Sequence, residues 1–188
     1  MRYVLLWSAS LLLSGCTAFE FFGTLGHATV SNDTRTFTKQ VEDKKIEAIL
    51  LDDLLQHKDI RKHTHVTIVC VNQHVIAVGQ VPNPRLKQKI ITALKQHSLS
   101  SNLVIRDLIR LAPVTDLYTR SRDSLITTKI KAQLFNRDDI DSSKIKVLTE
   151  NGEAFLLGLV NKEEADKAVN IARKTEGVSK VIHAFQVL

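Results

Sequence analysis

The sequence predicts an α+β fold: two tandem αββαβ units, each a three-stranded sheet with two helices, carried behind an N-terminal tether. Three observations predict it. The chain repeats itself: Asp43, Ile46, Leu50, Leu54 and Ile60 recur as Asp123, Ile126, Ile130, Leu134 and Ile140 at one offset, and Asn72, Val78, Gly79 and Val81 recur as Asn151, Leu157, Gly158 and Val160 after a one-residue slip. Within a copy, the apolar spacing changes from helical to alternating and back. Asn151-Gly152, between two apolar runs, is a strong hairpin signal, because both central positions of the tightest hairpin turn need positive φ.

Residues 1–15 read as a signal peptide. Arg2 precedes an apolar stretch over residues 3–13, well short of the about 20 residues a membrane-spanning helix needs, and the small pair Ser14-Gly15 suits cleavage. Leu13-Ser14-Gly15-Cys16 resembles the bacterial lipobox, which implies that Cys16 is acylated, palmitate included, and becomes the first mature residue. Residues 16–39 then form a lipidated flexible tether with Phe19, Phe21 and Phe22 among small residues. With Cys16 modified, only Cys70 remains, so no intramolecular disulfide forms and the fold rests on its apolar core. Cys70 lies in Val66-Thr67-Ile68-Val69-Cys70-Val71, where a free thiol packs as a small hydrophobe.

The first unit covers residues 40–112, a linker residues 113–119 and the second unit residues 120–188. In the second, Ile126, Ile130 and Leu134 mark one face of a helix, and Ile145 and Val147 alternate in a strand that ends at Asn151-Gly152. The strand returns over residues 154–160. Asn161 caps the next helix, with Glu164 completing a capping box, Gly177 stops it, and residues 178–188 form the last strand. In the first copy Asn83-Pro84 takes the place of Asn161-Lys162, since proline suits the first helical position. Insertions in the first copy, near His63 and near Ser100, are expected in turns.

Composition narrows the function. Lys+Arg 26 against Asp+Glu 20 gives +6, compatible with an anionic partner. An exported chain with only 5% aromatic residues and no zinc-finger, RNP-type or helix-turn-helix pattern points away from nucleic acid and towards lipid headgroups. Catalytic signatures are missing: no G-x-S-x-G elbow, H-E-x-x-H, phosphate-binding glycine loop or G-x-G-x-x-G. His63-Thr64-His65 lacks a third metal ligand and reads as a polar turn. Asp52-Asp53 and Asp138-Asp139 lack a cleft that would tune them as acid and base. No enzyme activity, metal or cofactor is expected.

The first helix of the second copy carries the candidate site. Ile126, Ile130 and Leu134 face the sheet, while Leu125, Thr128, Ala132 and Phe135 gather on the opposite side. Lys129 and Lys131 flank that stripe, and Arg120 and Arg122 precede it. Apolar groups rimmed by cations suit an anionic lipid interface. Leu125 and Phe135 could instead pack against the first copy or against residues 111–118. The matching helix of the first copy has Lys45 and Asp52 in place of Leu125 and Ala132, and carries Glu42, Asp43, Glu47 and Asp53, a face that anionic lipid would repel.

This repeat, with its glycine in the middle strand and Gly177-Val178 entering the last, resembles the BON domain. Two copies behind a lipobox resemble the dual-BON outer-membrane lipoproteins of the DolP type. The likeness is most specific in Ile126-Thr127-Thr128-Lys129 and in Thr149-Glu150-Asn151-Gly152-Glu153 followed by Gly158-Leu159-Val160; the first copy departs with Asn72-Gln73-His74, Pro82 and Pro84. It implies a non-enzymatic lipoprotein on the outer membrane, facing the periplasm, that supports envelope integrity. It also implies binding of anionic phospholipid (phosphatidylglycerol or cardiolipin) through Arg120, Arg122, Leu125, Thr128, Lys129, Ile130, Lys131, Ala132 and Phe135, and a link to cell-division sites and to the outer-membrane protein assembly machinery. Leu125 stands where the family pattern has tryptophan. Thr17 is not the aspartate that retains many such proteins at the inner membrane. An alternative is a periplasmic protein adaptor for which lipid is only the anchor.

Overall fold

The computed structural model describes residues 37–188. The signal peptide, Cys16 and the tether up to residue 36 lie outside the described residues. The order is α1 (Phe37–Gln56), α2 (Lys58–His63), β1 (His65–Val71), β2 (His74–Val81), α3 (Pro84–Ser101), β3 (Val104–Leu111), α4 (Leu117–Phe135), a 3-10 turn (Ser142–Lys144), β4 (Ile145–Glu150), β5 (Glu153–Val160), α5 (Lys162–Lys174) and β6 (Lys180–Val187). Two three-stranded sheets result, ordered β1-β2-β3 and β4-β5-β6, each with its central strand antiparallel to the first and parallel to the last. The predicted pair of αββαβ units is therefore present.

The local signals act as expected. Asn151 and Gly152 take φ of 50° and 75°, and Asn72 and Gln73 take 48° and 65°, so the first copy makes the same kind of turn without a glycine. Asn161 and Glu164 form the capping box, and Asn83 caps α3 by accepting the Leu86 N–H with Pro84 in the first turn. The middle-strand glycines are steric: a Cβ at Gly79 would collide with the His65 carbonyl oxygen, and one at Gly158 with that of Lys144.

The insertions in the first copy are not confined to turns. One falls at the end of α2, where the second copy has only a 3-10 turn, and the other lengthens a helix, α3 having 18 residues against 13 in α5. Residues 94–101 hold no glycine or proline to stop α3, and the chain reverses only at Asn102, at φ 52°. Helices also start earlier than their apolar spacing suggested, α1 taking up residues 37–39 of the expected tether and α4 residues 117–119 of the expected linker.

Each copy has its own core between helices and sheet. In the first, Leu50, Leu54, Ile90 and Leu94 meet Cys70, Val75, Ala77 and Val81; in the second, Ile126, Ile130, Leu134, Ala168 and Ala172 meet Val147, Ala154, Leu156 and Val160. The alternate residues of the same strands form a third core. Val71, Ile76 and Val78 pack with Phe155 and Leu157, supported by Leu108, Leu148 and Ile182. The two sheets thus lie face to face, with one helical layer on each outer side. A central strand buried on both faces must be apolar at both parities, which is why β2 is buried from Val75 through Val81.

Polar clasps rim this seam. Lys146 donates to Glu47 at 2.8 Å and to the Cys70 carbonyl at 2.5 Å, Gln80 donates to Glu150 at 2.9 Å, Arg110 pairs with Glu153 at 2.9 Å, and Asn72 donates to Gln186 at 2.8 Å. Among the described residues no buried side-chain nitrogen or oxygen lacks a partner, so joining the sheets strands no buried polar side chain.

Candidate functional site

The candidate site is the outer face of α4. Asp116 starts the helix by accepting the Thr119 N–H at 2.8 Å, which holds its carboxyl below the usual range. From there one line, Asp123, Ile126, Ile130 and Leu134, turns inward. The opposite line carries Leu117, Tyr118, Leu125 and Phe135, which are 79%, 77%, 64% and 75% exposed, with Thr128 and Ala132 exposed between them. At 100° per residue these six project within a sector of about a quarter-turn, along the whole length of α4.

The structure brings most of the expected site residues to this face and removes one. Leu125, Thr128, Ala132 and Phe135 form the stripe, and Arg122, Lys129 and Lys131 are exposed at its edges. Ile130 does not belong to it: its side chain is 0% exposed, because it lies on the sheet-facing side with Ile126 and Leu134. Arg120 is half-buried and its Nε donates to the Thr115 carbonyl at 3.0 Å, which ties it to the start of the helix. The packing alternative for Leu125 and Phe135 is not realised, since the copies meet through their sheets.

Leu117 and Tyr118 were missed because residues 113–119 read as a linker. The signal was present: an aspartate, Asp116, directly before an apolar residue is a helix N-cap. Tyr118 supplies at the N-terminal end of the stripe the aromatic group that position 125 lacks.

The first copy is less acidic on its surface than its sequence suggests. Asp43 is buried, accepting from the Asn72 and Gln73 amides, and Glu47 is taken by Lys146 and Lys44. Exposed Glu42, Lys44, Lys45 and Asp52 leave a mixed face, with Val41, Ile49 and Leu55 exposed among them.

Elsewhere the chemistry is structural. His63 ends α2 while His65 opens β1 and lies 3.4 Å from Glu150, so the two histidines do not share a strand. Asp52 and Asp53 sit inside α1, and Asp139 is held by Arg137 and Lys167 well below the usual carboxylate range. Among the described residues no cluster of His, Cys, Asp or Glu is placed to hold a metal, and no helix is long and apolar enough to cross a membrane. Burial, with the Asp43 carboxylate beside it, pushes the Cys70 thiol up to about 12.

Among the described residues, fold and surface together define a tandem α+β repeat protein with an apolar stripe exposed along one helix, α4. Comparison with known proteins gives the family: the BON domain model matches residues 42–100 and 122–188, and the chain belongs to that family as a dual-BON protein of the DolP type. It is 34% identical over 187 residues to the outer membrane lipoprotein DolP of Haemophilus influenzae, covering 100% of this chain and 96% of that protein. It is 31% identical over 159 residues to the 21 kDa hemolysin of Actinobacillus pleuropneumoniae, covering 84% and 80% of the two chains. A shorter match, 42% over 66 residues, links 35% of the chain to 33% of the osmotically-inducible protein Y of Escherichia coli.

Proposed function

We propose that this protein is a non-enzymatic outer-membrane lipoprotein, anchored through Cys16 and facing the periplasm, whose α4 face binds anionic phospholipid such as phosphatidylglycerol or cardiolipin and thereby supports envelope integrity. The membrane assignment rests on the Leu13-Ser14-Gly15-Cys16 box and on the full-length likeness to an outer membrane lipoprotein. The observation that carries the lipid reading is the exposed line Leu117, Tyr118, Leu125 and Phe135 with Arg122, Lys129 and Lys131 alongside. Apolar side chains enter the interfacial region, tyrosine sits at headgroup level, and the cations meet phosphates.

The test is cosedimentation of the mature chain carrying Cys16→Ser with phosphatidylglycerol vesicles. Leu125→Glu with Phe135→Glu should abolish binding while leaving the fold intact. Unchanged binding, or none by the unsubstituted chain, overturns this reading. The mixed α1 surface, with Val41, Ile49 and Leu55 exposed, favours a second reading as an adaptor for a periplasmic protein, the outer-membrane protein assembly machinery being the candidate partner.

A further inference from the structure

The two edges of the α4 stripe are not equivalent. On one edge Lys131 is exposed and makes no ion pair among the described residues. On the other, Lys129 Nζ donates to Glu176 Oε2 at 2.8 Å, and the pair lowers the Glu176 carboxyl from its ordinary value. Glu176 lies in the turn that follows α5. That turn lies against α4 at two neighbouring points: Thr175 Oγ1 is 3.4 Å from Gln133 Oε1, and Gly177 comes so close to Ile126 that a Cβ there would meet its Cδ1 at 2.9 Å. The carboxylate is therefore held at the rim of the stripe by backbone placed from below, while its own side chain is 88% exposed.

We propose that Glu176 is an internal competitor for Lys129 that sets how much anionic lipid a membrane must contain before the α4 face engages it. This rests on the lipid reading of that face. A headgroup phosphate and the Glu176 carboxylate present the same kind of partner to one ammonium group, and an anionic surface also repels the carboxylate that remains. Engagement must exchange one ion pair for the other. At low anionic content the internal pair persists and one rim cation is silent; at high content Lys129 transfers to phosphate. The face then responds to lipid charge density rather than to the presence of a bilayer alone.

The experiment compares the mature Cys16→Ser chain with the same chain carrying Glu176→Gln, using phosphatidylcholine vesicles with increasing phosphatidylglycerol. A basic residue near an anionic surface contributes about 1 kcal/mol, so Glu176→Gln should raise partitioning about five-fold at intermediate phosphatidylglycerol and lower the content needed for half-binding. Lys129→Gln should erase that gain when combined with Glu176→Gln. Asp59→Asn removes the same charge from the first copy, where Asp59 pairs with Lys89 at 2.7 Å, and should leave the curve in place. Binding by the unsubstituted chain with no gain in Glu176→Gln, or with an equal gain in Asp59→Asn, overturns this proposal alone. Absence of binding in every variant overturns the lipid reading with it.

Discussion

Asp123 reaches from the middle of α4 to Gly152 at the tip of the β4-β5 hairpin, its Oδ1 accepting the Gly152 N–H at 2.8 Å while Oδ2 accepts the Asn151 N–H at 2.7 Å. Asp43 does the same in the first copy, accepting from Asn72 at 2.8 Å and Gln73 at 3.2 Å. A helix is thus fastened to a turn by one buried carboxylate. In the first copy the tie holds a turn with Gln73 at φ 65°, a conformation that a non-glycine residue rarely adopts unaided.

Removing that carboxylate strands two amides. Asp123→Ala should cost about 3 kcal/mol in urea unfolding, and Asp123→Asn, which keeps one acceptor, should cost less. A cost below that of an exposed substitution such as Arg122→Ala would show that the tie is not stabilising.

Much of the fold was legible because each element carries its own local chemistry: Asn161 with Glu164, Asn151-Gly152, the inward spacing of Ile126, Ile130 and Leu134. What was not read is the face-to-face packing of the sheets, although a clue lay in Phe155-Leu156-Leu157, apolar at both strand parities where a half-exposed strand would alternate. Register between the copies depends on contacts such as Lys146 with Glu47, about a hundred residues apart, which no local pattern encodes. The candidate site was legible in Leu125 and Phe135. The resemblance is wrong at Ile130, which the helical spacing itself puts on the sheet side, and the stripe is incomplete without Leu117 and Tyr118, whose helical state depends on the Asp116 cap.

The third core should matter as much as either domain's own. Phe155 lies on the sheet face away from its own helices, so a reading of the copies as independent beads predicts little effect from its truncation. Buried as it is against the first copy's sheet, Phe155→Ala should cost about 3–5 kcal/mol, and calorimetry should show the two copies unfolding less cooperatively.

Acid should loosen the seam. Burial opposes ionisation of Glu47, but the Cys70 amide, Lys146 and Lys44 outweigh it and hold its carboxyl below the ordinary 4.5. A lowered value in the folded state adds stability in full above the ordinary value and loses it as pH falls through the lowered one. The difference in urea midpoint between the unsubstituted chain and Glu47→Gln should therefore be greatest at neutral pH and shrink in acid. A difference constant across that range would exclude Glu47 as its source.

Cys70 should resist alkylation. With its thiol pushed up to about 12 and its side chain buried, almost no thiolate exists at neutral pH. In the mature Cys16→Ser chain, maleimide should label Cys70 slowly in buffer and fast in denaturant. Native labelling at the rate of a free thiol would contradict the packing.

The middle-strand glycines should not tolerate a methyl group. Gly158→Ala drives a Cβ into the Lys144 carbonyl oxygen, in the 3-10 turn that leads into β4, and about 1–3 kcal/mol should be lost. The corresponding Gly79→Ala should be worse, since Gly79 also sits at φ 140°. Thermal melts of both variants rank the two effects.

Stacking the sheets face to face leaves the protein with two opposed exteriors, one built from α1 and α3 and the other from α4 and α5. A flat support can touch only one of them at a time. If the α4 side rests on a bilayer, the α1 side is held away from it by the two sheets between them, the axes of the two helical layers lying on the order of 30 Å apart at about 10 Å for each of the three layer spacings. The repeat that duplicated one fold has in this way yielded a spacer: two similar domains with opposite headings, one for the surface below and one for whatever approaches from the aqueous side.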